Sequence, residues 1–258
     1  DFEKWKYQGG VGPITSRFTA EGPLKTDKTS VLLGGRISHA NWALSAAADP
    51  DVKKSKLFFY DGFAGLSHRI SANSSADVTF YSSQDDFTFS DQFGYSWNNM
   101  LINGKWQALA DRKASPVLSI SYGRFKSTLI DPSGIDASEL TNTLNYLQFG
   151  ETVNYVPDEK HTIVTGVSGI GYFPRAEELT PYKGNPAIVS ESASKDNGFE
   201  FSLFANDDYQ VSERFSVSVG LRYSHYTHLG ADTVYRYTTG LPKSTSTIED
   251  TSYYSDFE

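Results

Sequence analysis

Two long segments joined by a tight polar turn limit what this chain can become. From Phe199 to Val211 the odd positions Phe199, Phe201, Leu203, Ala205, Tyr209 and Val211 are apolar or aromatic, while the even ones hold Glu200, Ser202, Phe204, Asn206, Asp208 and Gln210. After Ser212-Glu213-Arg214 the phase resumes, with Phe215, Val217, Val219, Leu221 and Tyr223 alternating with Ser216, Ser218, Gly220, Arg222 and Ser224. A period of two marks β-strands, whose successive side chains leave on opposite sides. Each strand runs to about a dozen residues, against roughly five to six in soluble sheets. A strand crossing a bilayer at a tilt needs about 9 to 11, so the expectation is a transmembrane β-hairpin.

Composition agrees. No stretch approaches the roughly 18 apolar residues of a membrane helix, but a barrel escapes that test because every second residue meets water or a polar lumen. The 16 Tyr and 17 Phe suit the aromatic girdles at two lipid interfaces. With no Cys, disulfide scaffolds, thiolate metal sites and Cys nucleophiles are all excluded. A net charge of -8 argues against nucleic-acid binding, which needs a basic surface. No secretory signal is visible, and the opening Asp1-Phe2-Glu3-Lys4-Trp5 already reads as a strand; the expectation is a mature fragment.

In chain order the alternation predicts about eleven strands: Trp5 to Val11, Arg17 to Gly22, a third through Val31, Leu33 and Ile37 closed by Trp42, Leu57 to Ile70, Asp77 to Ser83, Met100 to Ala108, Leu118 to Gly123, Leu140 to Val156, His161 to Tyr172, and the hairpin. Residues 229–258 read as a polar tract with a hint of strand at Val234 to Tyr237. Short turns at 25–28, 71–75, 111–115, 157–160 and 212–214 interleave with longer connections at 43–55, 84–96, 126–139 and 173–197. In the first of these, Asp49-Pro50-Asp51 reads as a turn and Ala43 to Ala48 as helical. Outer-membrane barrels show this asymmetry, with short turns on the periplasmic side.

The residues then resemble the start of the barrel of TonB-dependent outer-membrane receptors, especially the Bacteroidetes type with a carboxypeptidase-regulatory-like amino-terminal domain. The similarity rests on Gly10-Val11-Gly12, Arg17-Phe18-Thr19-Ala20-Glu21-Gly22-Pro23-Leu24, Asp27-Lys28, Gly35-Arg36, Asn41-Trp42, Phe59-Tyr60-Asp61 and Gly220-Leu221-Arg222-Tyr223-Ser224. The resemblance implies an all-β, antiparallel transmembrane barrel of 22 strands around a plug, in the bacterial outer membrane. Residues 1–258 would be its first half, without the plug and the carboxy-terminal strands. It implies import of a scarce nutrient (siderophore, peptide, vitamin or glycan), with membrane lipid, TonB (through the missing plug) and a surface lipoprotein as partners.

No catalytic motif is present, and no Gly-x-Ser-x-Gly signature; the chain reads as a non-enzyme without a cofactor, its ligand-binding residues unassigned. His225 and His228, three apart on a strand, face opposite sides and make a poor metal pair. Asp85, Asp86 and Asp91 in one loop, or Asp207 with Asp208, offer hard oxygens for structural Ca²⁺, although acidic loops are more often simply solvated. The glycines of Gly166 to Gly171 lack the Lys-Ser/Thr ending of a phosphate cradle and read as a bulge or a close approach of another backbone. Arg36, Glu200, Asn206, Asp208 and Arg222 fall on the wet face, where structural hydrogen bonding is the preferred reading over ligand contact. The rival classes are a soluble β-propeller or solenoid binding module, since the short turns recur about every 40 to 55 residues, and a smaller complete barrel such as a porin or surface protease.

Overall fold

In a computed structural model, which describes residues 2–109, 113–184, 189–192, 197–230 and 232–254, the chain is one antiparallel meander. The strands are β1 (Lys6–Val11), β2 (Thr15–Lys25), β3 (Thr29–Ser38), β4 (Lys56–Ser71), β5 (Ser74–Phe89), β6 (Phe93–Ala108), β7 (Ala114–Asp131), β8 (Ser138–Tyr155), β9 (His161–Pro181), β10 (Glu191–Ser192), β11 (Asn197–Ser212) and β12 (Phe215–Leu229). Each pairs with the next in sequence except β10, a two-residue strand that folds onto β9 and leaves β9 to pair with β11. The path from β1 to β12 thus has the eleven strands expected. Its end strands β1 and β12 are exposed over nearly all their length. A separate hairpin, β13 (Asp232–Tyr237) with β14 (Ile248–Tyr254), follows; β14 escaped the sequence reading because Glu249-Asp250-Thr251-Ser252 carries no apolar alternation.

The registers make the two faces explicit. Val31, Leu66, Val78, Gly104, Ile120, Phe149, Gly169, Phe201 and His225 lie in one row across nine strands. The adjacent row on the other face is Leu32, Gly65, Thr79, Asn103, Ser121, Gln148, Ile170, Glu200 and Tyr226. One row is apolar and the other largely polar.

No second layer covers either face. Among the described residues only Ala20, Ala40 and Ala137 are buried hydrophobics. The chain exposes 17185 Å², where a compact globular protein of this mass exposes about 11,000 Å². A soluble sheet must bury one face against another element, and a propeller would stack short blades; strands of 15 to 21 residues in one layer are neither.

Several expected loops prove to be strand. Residues 84–96 form the upper halves of β5 and β6, leaving only a turn at 90–92. The connection at 126–139 shrinks to 132–137, and the one at 173–197 loses its first part to β9; 185–188 and 193–196 of the latter lie outside the described residues, as do 111–112 of the predicted turn at 111–115. In the 39–55 connection, α1 (Asn41–Ser45) and α2 (Pro50–Lys54) replace a single helix and a turn. Asp49 is an N-cap that accepts from the amides of Asp51 and Val52, with Pro50 at the first helical position. Trp42 accordingly sits in α1 rather than closing β3, and its indole donates to the Pro13 carbonyl at 2.7 Å. The short turns need little: at 157–160 Asp158 accepts the backbone amides of Lys160 and His161, and the Lys160 amide chiefly holds its carboxyl below the usual carboxylate range.

Gly166 is a close-approach glycine, as its sequence context suggests. A Cβ there would strike the Glu151 carbonyl and the Phe204 ring. At Gly104, by contrast, an added Cβ would make an ordinary contact with Ile120. Gly166→Ala should therefore destabilise the folded protein by about 1–3 kcal/mol and Gly104→Ala by less than about 0.5 kcal/mol, read from urea unfolding of the refolded chain. Equal effects would show that the sheet yields freely at Gly166.

Candidate functional site

The polar face of the lower sheet is a set of local pairings. Arg36 meets Asp61 across β3 and β4 at 2.6 Å, its guanidinium over the Phe59 ring at 5.1 Å. Ser67 donates to Asp77 at 2.6 Å. On β11 and β12, Ser202 is 1% exposed; its hydroxyl donates to Glu200 at 3.0 Å, accepts from Arg222 at 2.9 Å and meets Ser224 at 3.0 Å. Asn206 donates to Asp208 at 3.2 Å, and Ser218 donates to Asn206. The wet-face residues Arg36, Glu200, Asn206, Asp208 and Arg222 are thus all engaged with neighbours.

Higher on the sheet the polarity of the faces inverts. The inversion follows one row, Ser82, Met100, Arg124 and Asn145, in register across β5 to β8. Below it the apolar face carries Val78, Phe80, Ile102, Ile120 and Leu147. Above it the same face carries Gln84, Asp86, Ser96, Asn98 and Thr128, with Gln84 and Ser96 both donating to Asp86 at 2.8 and 2.7 Å. The opposite face, polar below, carries Phe87, Phe89, Phe93, Tyr95, Trp97, Phe125 and Leu129 above. Strands of 16 to 18 residues exceed the roughly 9 to 11 that cross a bilayer, and the inversion falls where the excess begins.

The rings on β5 and β6 form a ladder. Centroids lie 5.6 Å apart for Phe89 and Phe93, 5.6 Å for Phe93 and Tyr95, and 5.5 Å for Tyr95 and Trp97, whose planes are 2° apart; Phe87 leans on Phe93 at 6.1 Å. The hairpin tip is anchored. Ser90, buried and at a left-handed φ of 50°, donates its amide to Ser55 Oγ (3.1 Å) and its hydroxyl to Asp51 (3.1 Å), tying the turn to α2.

The candidate metal residues are spread apart. His225 pairs with Phe201 on the apolar face and His228 with Gly198 on the other. Asp85 and Asp86 leave β5 on opposite faces, and Asp91, in the turn, faces Lys54 at 3.7 Å. Asp207 and Asp208 also diverge, the former bonded to His161 at 2.8 Å, whose ring stacks on Tyr209 at 4.6 Å. Among the described residues no three His, Asp or Glu side chains converge. Two features were missed in the sequence. The ladder hid inside an apparent loop because its alternation is out of phase with the strands below. Glu151 sits on the apolar face, between Leu118 and Val167 in its row and Phe149 and Val153 on its own strand.

A sequence profile described as TonB dependent receptor-like, beta-barrel, matches residues 16–254. The chain belongs to the TonB-dependent receptor β-barrel family. That family consists of transport receptors, not enzymes. Solved structures superpose on this barrel segment: the ferric enterobactin receptor PfeA of Pseudomonas aeruginosa (a double mutant) with TM-score 0.61 at 14% identity, covering 86% of this chain and 39% of that one; the copper transporter OprC, 0.67 at 11%, 97% and 41%; and a double mutant of the Serratia marcescens hemophore receptor HasR with its hemophore HasA and heme, 0.59 at 13%, 97% and 39%. The chain therefore spans about two-fifths of the length of these receptors. No curated protein matches by sequence. Within this family the polar lower face is the lumenal one, and the apolar face is the outer wall.

Because Arg222 is half exposed, Arg222→Ala should cost less than about 1 kcal/mol. Ser202→Val strands Glu200, Arg222 and Ser224 around a buried apolar group and should cost about 1–3 kcal/mol. The urea midpoints of the two variants give the order, and its reversal would place the anchor of this network in the guanidinium.

Proposed function

We propose that this chain supplies eleven strands of a closed, plugged outer-membrane receptor that captures a scarce nutrient at the cell surface and imports it with energy relayed through TonB. One observation supports this most: a single-layer sheet with a continuous apolar outer band, a polar inner wall, and inner and outer polarity exchanged above one row. The band suits lipid, the upper outer face suits water, and both end strands offer unpaired edges for further strands. On this reading residues 1–258 are about half of a 22-strand barrel, and the plug and remaining strands belong to sequence outside them. A Bacteroidetes-type receptor with a carboxypeptidase-regulatory-like domain, capped by a surface lipoprotein, is the finer form of the proposal, resting on the motifs from Gly10 to Trp42. Transport here needs no bond making. Ligand is held by the upper wall, loops and plug, and TonB acts on the plug.

Glu151 gives the membrane placement a sharp test. Four residues from Tyr155 on one side and four from Leu147 on the other, it lies at the middle of the apolar band. A carboxylate facing the bilayer midplane is unfavourable, less so than Lys or Arg but still by about 1 kcal/mol. Glu151→Leu should stabilise the full-length protein in lipid vesicles by about that amount, and a loss of stability would take this face out of the bilayer. The full-length protein should also fractionate with outer membranes and migrate faster on gels before heating than after. A soluble native species with heat-independent migration would end the reading.

A further inference from the structure

We infer that the Phe89, Phe93, Tyr95, Trp97 ladder is a subsite for a neutral, ring-built ligand, an oligosaccharide, rather than for an anionic metal chelate. The inference rests on the receptor reading above and names its substrate class. Three observations carry it. First, the rings form a continuous strip at 5.5 to 5.6 Å spacing, and the two lowest, Tyr95 and Trp97, are stacked with parallel planes and are each 37% exposed. Aromatic faces are electron-rich and attract the slightly positive C–H faces of pyranose rings without requiring charge.

Second, the polar groups beside the strip suit hydroxyls. Asp85 pairs directly with Trp97 across the β5–β6 ladder, and Asn99, one step below Trp97 on the same face, donates to Ser83 at 3.1 Å. Carboxylate and amide oxygens accept from sugar hydroxyls, and here they stand at the lower end of the ring strip, as a few orientation-fixing polar groups do in an otherwise apolar site.

Third, the charge is wrong for an anion. On this face of β4 to β8 near the ladder the charged residues are Asp61, Asp85 and, at the top of β7, Asp131, and Glu177 of β9 faces Asn142 at 3.0 Å. Of the cations on this side, Arg36 is engaged by Asp61 and lies over Phe59 and Lys54 of α2 faces Asp91 of the hairpin turn at 3.7 Å, while Arg124 and Lys126 leave β7 on the opposite face. A ferric tris-catecholate carries net negative charge, and at about 4 Å two like charges repel by several kcal/mol at a partly shielded protein surface. The anchored hairpin tip keeps the strip preformed, so little ordering opposes binding.

The test uses purified full-length receptor in detergent on an array of neutral oligosaccharides of defined linkage, with ferric 2,3-dihydroxybenzoate as the anionic ring-bearing probe. Wild type should hold at least one neutral oligosaccharide. The Tyr95→Ala/Trp97→Ala double variant should weaken it by about tenfold or more, as loss of two ring contacts predicts, while Trp97→Phe keeps most of the affinity. Asp85→Asn should weaken the oligosaccharide and improve the catecholate. Unchanged heat-modifiable migration certifies folding of each variant. Wild-type binding of the catecholate with no oligosaccharide bound overturns the inference, as does oligosaccharide binding indifferent to the double variant, which would mean that another part of the receptor covers the ladder. Because binding is measured without TonB, these failures are distinct from failure of the receptor reading, which shows in fractionation.

Discussion

Every apolar side chain in this protein must find cover outside its own sheet. Eleven strands in one layer offer no opposing layer, and burial among the described residues reaches only three alanines and a few small polar groups. The backbone satisfies itself laterally, strand to strand, as it must where water is excluded. What remains is a two-faced wall whose stability depends on the media against it. The single-layer geometry therefore explains the long strands, the short lower turns and the small polar pairings of the inner face.

The inversion at Ser82, Met100, Arg124 and Asn145 divides that wall into two working tiers. Below it, lipid on the outside and a wet interior are matched by Ile120 outward and Ser121 inward. Above it, water on the outside is matched by the Gln84, Asp86 and Ser96 cluster, and the inner face is free to become aromatic. A β-hairpin thus carries the rings above the apolar band on the inner face, positioned by strand pairing and by the ties of Ser90 to Ser55 and Asp51. The polar inner face lower down has different character: Arg222, Glu200 and Ser202 satisfy one another, which makes them supports of the wall before anything else.

Legibility in the sequence followed the same division. Where one face is largely apolar, as in Phe199–Val211 and Phe215–Tyr223, strands and turn could be read residue by residue, and the strand count held. Where the phase reverses, the reading failed: Phe87, Phe89, Phe93, Tyr95 and Trp97 keep strict alternation, but on the parity opposite to Val78 and Phe80, so the segment looked irregular. Asp49-Pro50 looked like a turn because the same pair serves both a turn and a helix start, and only the amides it caps decide between them. The acidic residues seemed to share a loop because sequence proximity does not show that Asp85 and Asp86 leave a strand in opposite directions.

The sequence by itself determined the all-β class, the number of strands in the main sheet, the two faces of their lower halves and the family resemblance, because a period of two repeated over long stretches admits few alternatives and the family's motifs lie along it. Only the tertiary structure decided where the faces exchange polarity, which rings stack, and that Glu151 stands within the apolar band. Those facts are set by register between neighbouring strands: a shift of one residue would turn each side chain to the other face, and no single strand's sequence records its alignment with the next.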